Sequence, residues 1–152
     1  MQKIDFQNLS FMDCKKEIPK LIKEYSKNFE NGEVVDEKQI ENAVYNLGEF
    51  VNKTDKIYKE IGFHLYINSR ELGVGSGENR VAVQGVVDLI IEKNNEVIIL
   101  DYKTSRLKNE NDFVKKYKNQ LDLYAKAVSK FFKKPVSKKI IYSFYLNRLI
   151  FV

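Results

Sequence analysis

Two runs of β-forming residues, 81–92 and 97–103, are separated only by Lys93-Asn94-Asn95-Glu96, and each carries an aspartate amid almost continuous apolar residues. Asp88 lies within Val86-Val87-Asp88-Leu89-Ile90-Ile91, and Asp101 directly follows Val97-Ile98-Ile99-Leu100. Such Val/Ile/Leu density predicts a strand pair covered on both faces, so helices should pack on each side. An ionised carboxylate in that setting is costly unless a cation or hydrogen bonds meet it. If Asn94-Asn95 forms a tight turn, Lys93 pairs with Glu96, and counting outward along the hairpin brings Asp88 opposite Asp101. Their Cβ atoms would then stand about 4.5–5.5 Å apart on one face, near enough for both carboxylates to hold one hard divalent cation. Period-two alternation adds Lys103 to that face and turns Tyr102 away.

The rest of the chain supplies a frame for this hairpin. Asp13 can cap a helix running through Ile18, Leu21, Ile22 and Tyr25 to about Phe29, where Asn31-Gly32 ends it. Asp36, with Gln39 three residues on as a capping-box partner, opens a second helix that presents Ile40, Val44, Leu47 and Val51. From Ile57 the apolar period becomes two. Ile57, Lys59, Ile61, Phe63, Leu65 and Ile67 alternate with Tyr58, Glu60, His64 and Tyr66, which predicts a strand with one apolar face. A glycine-rich loop occupies 73–79. Beyond a polar loop near Arg106, a long helix carries Phe113, Tyr117, Leu121, Tyr124, Val128 and Phe131, and Pro135 stops it. Strands at 140–146 and 149–152, turning at Asn147-Arg148, complete an α/β fold with a central mixed sheet flanked by helices and preceded by a helical segment.

Composition limits the chemistry. The 152 residues suffice for one domain. A single cysteine, Cys14, excludes a disulfide framework and any iron-sulfur cluster or Cys-rich zinc site supplied by this chain alone. No apolar run approaches the ~18 residues that a spanning helix needs, and no signal peptide opens the chain. The expectation is a cytoplasmic protein with no membrane partner. The formal charge is +5, but between Tyr102 and Lys139 twelve basic residues face only three acids. Such a block suits the neutralisation of phosphates, although a lysine-rich solvated helix face reads the same way.

Two aspartates and a lysine on one patch suit phosphodiester hydrolysis. Asp88 and Asp101 would bind Mg²⁺ through oxygen, and Lys103 would orient water or meet developing charge. A lone Asp-x-Lys on a strand is more often a structural salt bridge. Asp88 at matching register, the preceding Gly85 and the basic helix that follows favour the site.

Three segments together resemble successive motifs of the RecB-type branch of the PD-(D/E)XK nucleases: Val83-Gln84-Gly85-Val86-Val87-Asp88, Ile99-Leu100-Asp101-Tyr102-Lys103-Thr104 and Tyr117-Lys118-Asn119-Gln120-Leu121-Asp122-Leu123-Tyr124-Ala125. More narrowly, the chain is similar to the C-terminal nuclease domains found in the A subunits of AddAB-type helicase-nucleases. The segments 57–63 and 141–144 resemble the flanking strands there. The resemblance implies a restriction-endonuclease-like core in which Asp88 and Asp101 are metal ligands, the carbonyl of Tyr102 is a backbone ligand and Lys103 is the catalytic lysine. Gln120 and Tyr124 match the helical Gln-x-x-x-Tyr motif, and the i, i+4 spacing projects both from one helix face. Their implied job is contact with DNA or support of the metal site.

The implied activity is a Mg²⁺-dependent DNA exonuclease, with Mn²⁺ able to substitute, serving as the nuclease module of an ATP-dependent helicase-nuclease that processes double-strand ends for recombinational repair. Its partners would be DNA, the helicase part of a larger chain and a second helicase-nuclease subunit. No Gly-x-x-x-x-Gly-Lys-Ser/Thr motif occurs, so the motor is expected elsewhere. Residues 1–152 then form one nuclease domain, with 1–54 a helical lead-in and 55–152 the core, as a fragment of a larger chain. One departure stands out. The branch usually places a metal-binding histidine on an upstream helix, and the first fifty residues contain none. His64, the only histidine, sits on a strand, where a partly buried position is expected more than a metal role, and Glu60 shares its face. The alternatives are a catalytically incomplete DNA-binding or assembly domain of the same fold, and a stand-alone RecB-like exonuclease or resolvase.

Overall fold

A computed structural model describes residues 36–52, 54–70 and 80–152. The helix expected at 13–29 and the loop at 73–79 lie outside the described residues. Within them the elements are α1 (Glu37–Gly48), β1 (Lys56–Asn68), β2 (Arg80–Glu92), β3 (Val97–Lys103), α2 (Glu110–Phe132), β4 (Val136–Ser143) and β5 (Arg148–Phe151). The strands form one sheet in the order β1-β2-β3-β4-β5. Only β3 and β4 run parallel, joined by the α2 crossover; the other neighbours are antiparallel. This is the mixed, helix-flanked sheet of the restriction-endonuclease-like fold.

Local chemistry explains the ends of the elements. The Asp36 carboxylate accepts the Gln39 N–H at 2.8 Å while Gln39 Oε1 accepts the Asp36 N–H at 3.0 Å, so the capping box forms. Gln39 Nε2 also donates to the Phe144 carbonyl at 2.8 Å, tying the start of α1 to the end of β4. The long helix ends at Lys133, whose φ of 53° gives a left-handed cap. It therefore stops before Pro135, whose carbonyl accepts the Val97 N–H and so opens the β3–β4 pairing. As a result β4 begins at Val136 and ends at Ser143, earlier at both ends than the 140–146 expected from sequence.

The sheet is buried on both faces, as the apolar runs require. On one side Ala43, Leu47 and Val51 pack over Ile57, Leu89, Ile98, Leu100 and Tyr142. On the other, Phe113, Leu121, Tyr124 and Val128 of α2 pack over Tyr58, Ile61, Ile90, Ile99 and Ile141. β3 is buried along its length until Lys103. β1 departs from the single apolar face expected of it: Ile57 belongs to the α1 side, whereas Ile61 and Phe63 belong to the α2 side. The cause is Glu60, whose φ of 50° interrupts the alternation.

Charged contacts pin the base of the hairpin. Tyr58 donates to Glu92 Oε2 and Lys134 to Glu92 Oε1, both at 2.6 Å. Burial alone would raise the Glu92 carboxyl; the bonds from Lys134 and Tyr58, with the Lys134 and Lys56 charges, outweigh it and hold the carboxyl below its ordinary value. Asp55 likewise receives the Lys93 ammonium at 2.7 Å and the Asn52 N–H at 2.8 Å. A carboxyl depressed in the fold contributes stability above its unfolded pKa and loses it as pH falls through the folded value. Glu92→Gln should therefore cost about 1 kcal/mol at neutral pH. Urea midpoints measured against pH should show this cost fading on acidification below about pH 4.

Candidate active site

The two hairpin strands are closed by the turn expected, with the Lys93 N–H donating to the Glu96 carbonyl at 2.9 Å. The register follows the same count through Glu92–Val97, Ile91–Ile98, Ile90–Ile99 and Leu89–Leu100. There the ladder stops, one step before the acids, so Asp88 and Asp101 are not ladder partners as the count from the turn proposes. The next N–H in line, that of Tyr102, donates instead to Asp88 Oδ2 at 2.8 Å. In an uninterrupted antiparallel ladder that donor would reach the Val87 carbonyl. The next carbonyl along, that of Lys103, accepts the Phe144 N–H on the β4 side, so alternation sets the Tyr102 carbonyl on the β2 side.

Asp101 faces α2. It is 2% exposed, and Lys103 Nζ stands 2.6 Å from its Oδ2. That oxygen is buried, and the Lys103 ammonium is the group that meets its charge there. Burial pushes the Asp101 carboxyl above its usual range, against the opposing pull of Lys103. The Lys103 ammonium is also held 4.7 Å from the centre of the Tyr117 ring, a cation–π contact. Tyr117 in turn hydrogen-bonds Ser105 through its hydroxyl. Tyr102 points the other way, into the α1-side core, as alternation predicts.

Gln120 and Tyr124 meet as their helical spacing predicts: Gln120 Nε2 donates to the Tyr124 hydroxyl at 3.1 Å. Burial, then the Asp101 charge, then the Asp88 charge raise the Tyr124 hydroxyl above the ordinary tyrosine value, and the Gln120 bond opposes them. One hydroxyl thus lies within electrostatic reach of both carboxylates. Burial and then the Asp88 charge also raise the Tyr102 hydroxyl, on the opposite side of the sheet. Asp88 is therefore felt from both faces, as a side chain directed at the β3 backbone should be. Gln120 Oε1 is a buried oxygen that accepts no hydrogen bond among the described residues.

In the sequence Tyr117 reads as part of an apolar stripe and as the first residue of the third resembling segment, with no role of its own. Its position three residues before Gln120 and seven before Tyr124 is the available signal, since those spacings share a helix face. His64 is exposed, not partly buried, with Nε2 2.7 Å from Gln84 Oε1. Glu60 is exposed as well, and no group of three His, Cys, Asp or Glu side chains able to hold a metal occurs among the described residues. The basic block is partly neutralised from within: Lys118 and Lys139 pair with Asp122, and Lys134 pairs with Glu92. Lys108, Lys115, Lys130, Lys133 and Lys138 remain exposed.

Gly85 gives Tyr124 its place. A Cβ there would lie 2.9 Å from Tyr124 Cε1 and 3.0 Å from two atoms of the Phe63 ring, and those rings already meet edge to face at 5.5 Å. Gly85→Ala must push Tyr124 off β2, at a cost of about 1–3 kcal/mol. A denaturant midpoint unchanged from wild type would contradict that packing.

Comparison with known proteins agrees with the geometry. The chain is 36% identical over 162 aligned positions to the A subunit of the ATP-dependent helicase/nuclease of Clostridium botulinum, an alignment covering 100% of this chain and 13% of that protein. The Clostridium perfringens protein of the same name is 31% identical over 97% of this chain and 13% of its own length. That of Ligilactobacillus salivarius is 41% identical over 68% of this chain and 9% of its own length. The chain thus spans about an eighth of the length of the first two relatives. A family model for the PD-(D/E)XK nuclease superfamily, whose members generally use divalent metal ions, matches residues 12–148. With nine-tenths of its length matched, this chain belongs to the PD-(D/E)XK nuclease superfamily.

Proposed function

We propose that this chain is a Mg²⁺-dependent DNA exonuclease domain, the nuclease module of an ATP-dependent helicase-nuclease that processes double-strand ends for recombinational repair. Residues 55–152 serve as the core, with 1–54 leading into it. The motor belongs to the remainder of a larger polypeptide, a second helicase-nuclease subunit is the partner, and the cytoplasm is the compartment. The observation that carries the reading is the buried Asp101 carboxylate paired with Lys103 at 2.6 Å, on the sheet face over which α2 sets Tyr117, Gln120 and Tyr124.

The donors suit a hard divalent cation. Asp88, Asp101 and the Tyr102 carbonyl are all oxygen ligands, and Mg²⁺ characteristically accepts one or two carboxylates while keeping several waters. When bound, such an ion acidifies water and stabilises charge on a phosphate. Lys103, held beside Asp101 and over Tyr117, orients the attacking water and meets charge as it develops on the scissile phosphate. Gln120 offers its unpaired Oε1 to a water and, through Nε2, fixes the Tyr124 hydroxyl beside the acids. The exposed lysines of α2 and its flanks engage the DNA backbone without reading sequence.

Incubation of linear DNA with the purified chain tests this reading. Mg²⁺ or Mn²⁺ should switch on degradation, and Asp101→Ala should lower it by about a hundredfold or more. Binding without cleavage in either metal would identify a DNA-binding or assembly domain instead. Cutting that survives Asp101→Ala would remove the site.

A further inference from the structure

Glu60 is exposed and makes no part of the acid cluster, yet among the described residues it is the one strand residue with a left-handed backbone, at φ 50°. The other two non-glycine residues in that region, Lys133 and Asn147, sit at a helix cap and a turn. A β-strand places residues an odd number apart on opposite faces. On β1, however, Tyr58 and Ile61 both face α2, and on β2 so do their partners Ile90 and Val87. Both strands therefore change sides at the same level, between the pairs Lys59–Leu89 and Ile61–Val87. That level is occupied by Glu60 on one strand and Asp88 on the other.

The reversal reaches the site in two ways. Asp88, at the point of reversal, is turned along the sheet toward β3, where its carboxylate takes the Tyr102 N–H. Beyond the reversal Gly85, not Gln84 or Val86, faces α2, so the one residue without a side chain lies under Tyr124. We propose that Glu60 is a positioning residue: its left-handed backbone reverses β1 and β2 together, aims Asp88 at the peptide that follows Asp101, and clears the floor beneath Tyr124. Its bearing on catalysis rests on the nuclease reading above; its bearing on Asp88 does not. What the position requires is a backbone tolerant of positive φ, which glycine meets best and a β-branched residue worst.

The Tyr102 amide reports this directly in a ¹⁵N–¹H spectrum of the full chain, recorded without metal or DNA and with Asp88→Ala as the reference for a lost bond. Glu60→Gly should leave the Tyr102 resonance at its wild-type position. Glu60→Val should move it to the Asp88→Ala position and speed its hydrogen exchange. In the cleavage assay Glu60→Gly should keep the wild-type rate, while Glu60→Val should lose about tenfold or more, the scale of a disturbed supporting residue. A folded Glu60→Val with a wild-type Tyr102 resonance would overturn the proposal. So would a Glu60→Gly protein in which that resonance sits at the Asp88→Ala position, and this second variant decides the matter if valine prevents folding. Because the spectrum needs neither metal nor substrate, its outcome is separate from whether the chain cuts DNA.

Discussion

A carboxylate removed from water must be met by charge or hydrogen bonds, and Asp101 sets that requirement at the centre of this molecule. It sits at the end of a strand whose preceding four residues are wholly apolar and buried, at the seam between the antiparallel and parallel halves of the sheet. Lys103, two residues further along the same strand, answers it, and the Tyr117 ring holds that ammonium in place. A buried carboxylate held by a single ammonium is a costly arrangement, since both ions give up water to form it. Under the nuclease reading proposed above, the same carboxylate also serves a divalent cation.

Much of this is legible in the residues because it rests on local physics. The capping box at Asp36 and Gln39, the turn at Lys93–Glu96, the burial of both sheet faces and the opposite directions of Tyr102 and Lys103 all follow from spacing within a few residues. The pairing of Gln120 with Tyr124 is likewise a property of helix pitch. The reversal at Glu60 leaves no such trace, since glutamate is not a usual sign of left-handed backbone and a single dihedral changes the face of every residue beyond it. For a related reason counting from the turn overstates the opposition of Asp88 and Asp101. The count holds as far as Leu89–Leu100, and the ladder then opens because the Asp88 side chain replaces a backbone acceptor.

The charge pattern also reads differently in three dimensions. Several lysines that make the block from Tyr102 to Lys139 so basic close ion pairs within the fold, with Asp101, Glu92 and Asp122. Lys134 and Lys139 join α2 and its flank to the sheet, so part of the positive charge contributes to packing. The exposed remainder lies chiefly on α2 and the segments beside it, the same helix that carries Tyr117, Gln120 and Tyr124 over the acids.

The proposed chemistry stands on two carboxylates serving one cation. Calorimetric titration with Mn²⁺ tests this most directly, because it needs no turnover. Wild type should bind at a stoichiometry close to one ion per chain, and Asp88→Ala should weaken that binding by about tenfold or more while leaving the fold intact. Equal affinity in the two proteins would contradict a shared metal site and return Asp88 to a purely structural place beside Tyr102.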